Sequence, residues 1–162
     1  EAVVFPCCYA GCCAMALLGK ACVLAALGWV QLGVVYLDLD HFKKTNDQYG
    51  HGMGDLVLQR FADVTRRHLT NQDFAARLGG EEFMLVLPVS DPEEARNLVE
   101  GILLGMRSQR FKDAPGLAVT VSGGLAMLNP GETPAQLIKR ADQALYRAKE
   151  TGRDRLIVGE TE

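Results

Sequence analysis

Two short stretches carry four carboxylates. Asp38 and Asp40 close the apolar run GVVYLDLD, and Glu81 and Glu82 lie between Gly79-Gly80 and Phe83 in RLGGEEF. Residues two apart on a strand project to the same side, so Asp38 and Asp40 share a face where a strand ends and a site can form. Alone, that pair is better read as a solvated strand end. Adjacent carboxylates at the tip of a hairpin repel each other, and neither is cheaply buried. If the two stretches are neighbours in one small sheet, Asp38 and Glu81 meet at one edge. Clustered carboxylates without a basic partner suit a hard, oxygen-liganded divalent ion such as Mg²⁺.

Magnesium held by one or two carboxylates is normally completed by phosphate oxygens of a substrate, which calls for cations close by. Lys43 follows the first stretch within a turn-like loop, and Lys149 and Arg153 flank Gly152, four residues apart. The latter two would equally offset the negative end of a helix dipole. Asn46 and Asp55 lie in and just after a glycine-rich loop. Together they could read a guanine edge, Asp accepting from the ring N–H and the exocyclic amine. Taken singly, they serve turn formation and helix capping as well.

The elements that must position these groups alternate along the chain. GVVYLDL at 33–39 is a short β-branched run that predicts a central strand with its acidic end on the site. The stretch KTNDQYGHGMGD predicts a loop. Leu58, Phe61, Ala62, Thr65 and Leu69 recur at helical spacing, predicting an amphipathic helix from Gly54 to Leu69 with Asp55 in its first turn. Phe74–Leu78 and Phe83–Leu87 form a hairpin through Gly79-Gly80. Asp91-Pro92-Glu93-Glu94 opens a helix that runs to Arg110, and Thr133-Pro134-Ala135-Gln136 opens another that stops at Gly152. Leu117–Leu128 predicts a strand whose central glycine pair marks a bulge or a close approach of backbones. Arg155–Val158 is a last short strand. With a first helix before Val34, the order α-β-α-β-β-α-β-α-β predicts an α+β, ferredoxin-like layer of helices over a mostly antiparallel sheet.

Composition bounds the function. A chain of 162 residues, 48% hydrophobic and 23% charged, fits one globular domain. A formal net charge of −3 offers no footprint for a nucleic-acid polymer or an anionic membrane, so the ligand is small. The cysteines Cys7, Cys8, Cys12, Cys13 and Cys22 all fall in the first 22 residues without a matching pair downstream. That argues against a zinc site or disulfide framework, and for a reduced, cytoplasmic protein. Residues 1–33 are atypically apolar and cysteine-rich. Lys20 and Gln31 interrupt the run, and GVVYLDLD is better read as a strand, so a helix packed on the domain is favoured over a membrane anchor or signal segment.

Taken in order, DLDHFKKTNDQYGHGMGD, RLGGEEF and ADQALYRAKETGRDR closely resemble the GGDEF family of diguanylate cyclases, over about Val34 to Val158. The resemblance implies a palm-type fold related to nucleotidyl cyclases, with residues 34–162 as the catalytic domain. It implies condensation of two GTP into cyclic di-GMP with release of two pyrophosphates, in bacterial second-messenger signalling. Asp38, the Leu39 carbonyl and Glu81 would hold Mg²⁺ or Mn²⁺, with Glu81 also a possible base. Asn46 and Asp55 would read guanine. Lys43, Lys149 and Arg153 would bind the triphosphate, while His51, Phe42, Gly79 and Gly80 would lie beside the nucleotide and Glu82 would support the hairpin tip. Each chain would bind one GTP, so catalysis would require a homodimer, coupled in the full-length protein to an N-terminal sensory or receiver module.

Two departures qualify that expectation. Product-inhibited members carry R-x-x-D shortly before the signature, whereas Thr70-Asn71-Gln72-Asp73 keeps only the aspartate. Any retained cyclic di-GMP would then lie in the groove around Gly79 to Glu82. The family's D-x-L-T-G-L-x-N-R motif is replaced by EAVVFPCCYAGCCAMALLGK, which would weaken the pocket and catalysis and points to a shifted reading frame or a misassigned start before Val34. The alternative is a catalytically weak module that binds GTP or cyclic di-GMP as an effector.

Overall fold

The computed structural model describes residues 18, 19, 21–23, 25, 28 and 31–160. Cys7, Cys8, Cys12, Cys13 and Lys20 lie outside the described residues. The strand that ends in Asp38 is the middle of the sheet. β1 (Gln31–Leu39) is buried on both faces along nearly its whole length, which is why it reads as a continuous apolar run rather than an alternating one. β2 (Phe74–Gly79) and β3 (Glu82–Val89) lie on one side of it, β4 (Val121–Met127) and β5 (Leu156–Val158) on the other, in the order β2-β3-β1-β4-β5. All pairs are antiparallel except β4 with β5.

Helices cover the two faces, among them α1 (Phe42–Tyr49), α2 (His51–His68), α3 (Pro92–Arg107) and α4 (Pro134–Glu150). Val35, Leu37, Phe83 and Leu85 point to one face and pack with Phe61 and Val64 of α2 and Val99 and Ile102 of α3. Val34, Met84, Val86 and Ala126 point to the other, against Leu137 and Ala141 of α4 and against Leu18. Leu18, Gly19, Ala21–Val23 and Ala25 are helical. No helix among the described residues is long and apolar enough to cross a membrane.

The structure corrects three expectations. The predicted loop over KTNDQYGHGMGD is helical: α1 and α2 are separated only by Gly50, whose φ of 85° breaks the chain. Burial of Phe42 and Thr45 overrides the weak helix propensity of Thr45, Asn46 and Asp47. Because α2 begins at His51 rather than Gly54, Asp55 is not in a first turn, and the dipole role expected of it lapses. The strand expected from Leu117 begins only at Val121, since β1 has ended at Leu39 and leaves no ladder partner before it.

The glycine pair of β4 is the close approach, without a bulge: the register with β1 runs unbroken through Gly123 and Gly124. Both capped helix starts appear. Asp91 accepts from the Glu93 N–H at 2.8 Å while Glu94 bonds the Ser90 N–H, and Thr133 with Gln136 makes a full capping box. Farther along α4, Arg140 Nε lies 2.6 Å from Glu132 Oε1, and the guanidinium also donates to the Met127 and Glu160 carbonyls. The hydrogen bond from Arg140 holds the Glu132 carboxyl below its ordinary value. The pair's contribution is therefore complete above the ordinary pKa of about 4.3 and lost as pH falls through the depressed folded value. Arg140→Ala should cost about 2 kcal/mol at neutral pH. The gap between urea melts of variant and parent should narrow as pH falls below the ordinary carboxylate range and Glu132 protonates, leaving what the bonds to the two carbonyls contribute, and a gap constant with pH would contradict the assignment.

Candidate active site

The C-terminal end of β1 and the β2–β3 turn meet, as the sequence led us to expect. The Leu39 N–H donates to the Glu81 carbonyl at 3.2 Å, and Asp38 stands opposite Glu82 in the β1–β3 register. Opposed residues of an antiparallel pair share a face, so Glu82 lies on the Asp38 side, and Glu81 sits in the turn beside Leu39. Gly80 takes a φ of 50°, and the Arg77 guanidinium clasps the turn by donating to the Gly80 carbonyl from Nε at 3.0 Å and Nη2 at 2.7 Å. Nothing in the sequence marked Arg77, which reads there as an ordinary strand residue.

Asp38 is 7% exposed, and Lys149 Nζ lies 2.6 Å from its Oδ2. Burial pushes the Asp38 carboxyl up, the Lys149 ammonium opposes that, and the charges of Glu81 and Glu82 add to it. The Asp38 carboxyl therefore feels both glutamates. Neither Glu81 nor Glu82 has an ion-pair partner among the described residues. Among those residues no three His, Cys, Asp or Glu side chains converge into a ready metal cage. The donors at hand are oxygens, which suits a hard divalent cation rather than a thiolate or imidazole site, but the expectation of carboxylates without a basic partner is corrected at Asp38, which Lys149 already engages.

Asp40 behaves differently from Asp38. Its carboxylate accepts from Ser122 Oγ at 2.7 Å, Thr120 Oγ1 at 2.8 Å and the Asp154 N–H at 3.1 Å, so it is a buried structural hub rather than a solvated strand end. Arg153 Nε is 4.0 Å from it. Thus Lys149 and Arg153 both reach the acidic end of β1, whereas Lys43 is exposed on α1. Asn46 contacts the start of α2 so closely that a Cβ at Gly54 would fall 1.9 Å from its Oδ1, which brings Asn46 beside the turn bearing Asp55. His51 and Asp55 are exposed and Phe42 is buried. The open cavity lined by Cys22, Gln31, Ser90 and Glu132 lies at the opposite end of the sheet.

Comparison with family models matches residues 25–155 to the family described as diguanylate cyclase, GGDEF domain. The chain belongs to the GGDEF family. Among relatives, diguanylate cyclase DgcP of Pseudomonas aeruginosa is 45% identical over 124 residues, which is 75% of this chain and 18% of DgcP. The response regulator PleD of Caulobacter vibrioides is 37% identical over 82% of this chain and 30% of its own length. The chain thus spans under a third of either relative. The GGDEF domain of DgcB from Caulobacter crescentus, solved in complex with c-di-GMP, superposes with a TM-score of 0.83 at 36% identity, covering 90% of this chain and 85% of that one. The active GGEEF domain of a diguanylate cyclase from Vibrio cholerae gives 0.85 at 32% identity, over 91% and 94%. The five-stranded mixed sheet with flanking helices is therefore the palm-like fold expected.

Proposed function

We propose that this GGDEF domain condenses two GTP into cyclic di-GMP with release of two pyrophosphates, each chain binding one GTP and two chains meeting as a homodimer. The observation that carries the reading is the joining of the GGEEF turn to the end of β1, with Asp38 held by Lys149. Asp38, the Leu39 carbonyl and Glu81 would hold Mg²⁺, for which Mn²⁺ could substitute. When bound, the ion would neutralise phosphate charge and ease ionisation of the 3′-hydroxyl. Lys149 and Arg153, with Lys43, bind the triphosphate; Asn46 and Asp55 read guanine; Glu81 is placed to accept a proton, and Glu82 supports the turn. Phe42, His51, Gly79 and Gly80 border the nucleotide. The capping role that competed for Asp55 is gone, which favours its ligand role.

Residues 34–162 form the catalytic domain in this reading, cytoplasmic and driven by an N-terminal sensory or receiver module of the full-length protein. Incubation with GTP and Mg²⁺ should yield cyclic di-GMP and pyrophosphate, and Glu81→Gln should abolish both. The replacement of the family's N-terminal motif favours a second reading, an effector module that binds nucleotide without turnover. GTP binding with no product at any protein concentration would select it.

Product inhibition through an R-x-x-D site is not part of the proposal. Asp73 is 5% exposed, and its Oδ2 accepts from the Thr70 N–H at 2.7 Å and from Thr70 Oγ1 at 2.8 Å. That carboxylate closes its own turn. Thr70→Ala should cost about 1 kcal/mol of stability and leave cyclic di-GMP affinity unchanged in calorimetric titration. A large loss of affinity would place product there rather than around Gly79 to Glu82.

A further inference from the structure

The turn between α4 and β5 holds three consecutive residues at positive φ: Gly152 at 117°, Arg153 at 61° and Asp154 at 49°. The left-handed region is unfavourable for L-residues, and two in a row persist only when their surroundings over-determine them. Those surroundings can be named. The Arg153 N–H donates to the Ala148 carbonyl at 2.9 Å, and the Asp154 N–H donates to Asp40. From α3, across the edge of the sheet, Arg107 Nε lies 3.0 and 2.9 Å from the two Asp154 carboxylate oxygens, and its Nη2 donates to the Asp154 carbonyl at 3.3 Å.

We propose that Arg107 and Asp40 are positioning residues for the triphosphate: through Asp154 they lock the turn that sets Arg153 at the carboxylate end of β1, beside Lys149 in the last turn of α4. The proposal rests on the GTP-binding reading above. Asp40 grips the turn from inside, with its side chain 1% exposed, and Arg107 from outside, 46% exposed. An Arg fork on a carboxylate fixes direction as well as distance, which a lysine at 107 would not reproduce. Releasing the outer grip frees the turn without opening the core. The Arg153 guanidinium then samples positions away from the phosphates, while the guanine side, built from α1 and α2, is untouched.

The test compares two probes in the presence of Mg²⁺: an α,β-methylene GTP analogue, which cannot be cleaved at the α-phosphate, and guanosine, which has no phosphate. Arg107→Met should weaken the analogue about tenfold in equilibrium titration and leave guanosine binding, followed by NMR shifts, as in the parent. Asp154→Gly removes the carboxylate while relieving the left-handed strain, so it should show the same split with no loss of thermal stability. Equal losses for both probes, or no loss for either, would overturn the proposal. Failure of the parent chain itself to bind the analogue would instead overturn the GTP reading, and the proposal with it.

Discussion

Asp38→Asn is expected to reduce cyclic di-GMP formation by about a thousandfold or more while leaving the fold intact. The carboxylate is the buried member of the acidic cluster, and replacing it by an amide of the same shape removes the charge on which a divalent ion and Lys149 both depend. Stability should move the other way or hardly at all. Burial and the neighbouring Glu81 and Glu82 hold the Asp38 carboxyl above its ordinary value. A carboxyl raised on folding favours the folded state only while protonated. Its stabilisation is present at low pH and is lost as pH rises from the unfolded value through the raised folded one. Asn mimics the protonated form, so the variant should lose that part of the acid-side pH dependence, and its thermal midpoint near pH 7 should match or exceed the parent's. A variant that is both inactive and unfolded would mean that Asp38 is a structural residue, contrary to this account. The expected pattern, function lost and stability kept, is that of a group held at a site against its own preference.

Gly124→Ala should destabilise the domain by about 3 kcal/mol, read as a lower urea midpoint. A Cβ at Gly124 would lie 2.2 Å from the Ala141 carbonyl oxygen and 2.2 Å from the Leu145 nitrogen, both main-chain atoms of α4. Main chain in the middle of a helix cannot step aside as a side chain can, so α4 must lift from β4. Lys149 sits near the end of that helix, and lifting it also withdraws the ammonium from Asp38, so turnover should fall with stability. Gly123→Ala is the control. Its Cβ would meet Leu37 Cδ2 at 3.0 Å and Leu156 Cδ1 at 3.1 Å, both ends of flexible side chains. The expected cost there is about 1 kcal/mol. Equal effects at the two positions would contradict the contact between the β4 and α4 backbones.

Most of the scaffold was legible because its signals are local. Apolar runs of strand length, a glycine pair at a hairpin tip and capping sequences at Asp91 and Thr133 each depend on a few adjacent residues. α1 was hidden for the opposite reason: Thr45, Asn46 and Asp47 are poor helix formers, and only the burial of Phe42 and Thr45 makes the segment helical. The register at the hairpin tip was hidden as well. A slip of one residue exchanges faces, so sequence could bring Asp38 to the GGEEF turn without telling that Glu82 would stand opposite it. Asp40 was misread because its partners Thr120, Ser122 and Asp154 are 80, 82 and 114 residues away. Arg107 has its partner 47 residues away, and its exposed place at the end of an amphipathic helix gives no hint of it.

The central claim is that each chain carries half of a GTP-condensing site, and the dependence of rate on protein concentration tests it most directly. With saturating GTP and Mg²⁺, cyclic di-GMP and pyrophosphate should appear in a 1:2 ratio, as two condensations require. The rate per chain should rise with concentration until dimers are saturated. Product formed at a rate per chain independent of dilution, from chains that sediment as monomers, would contradict the half-site account.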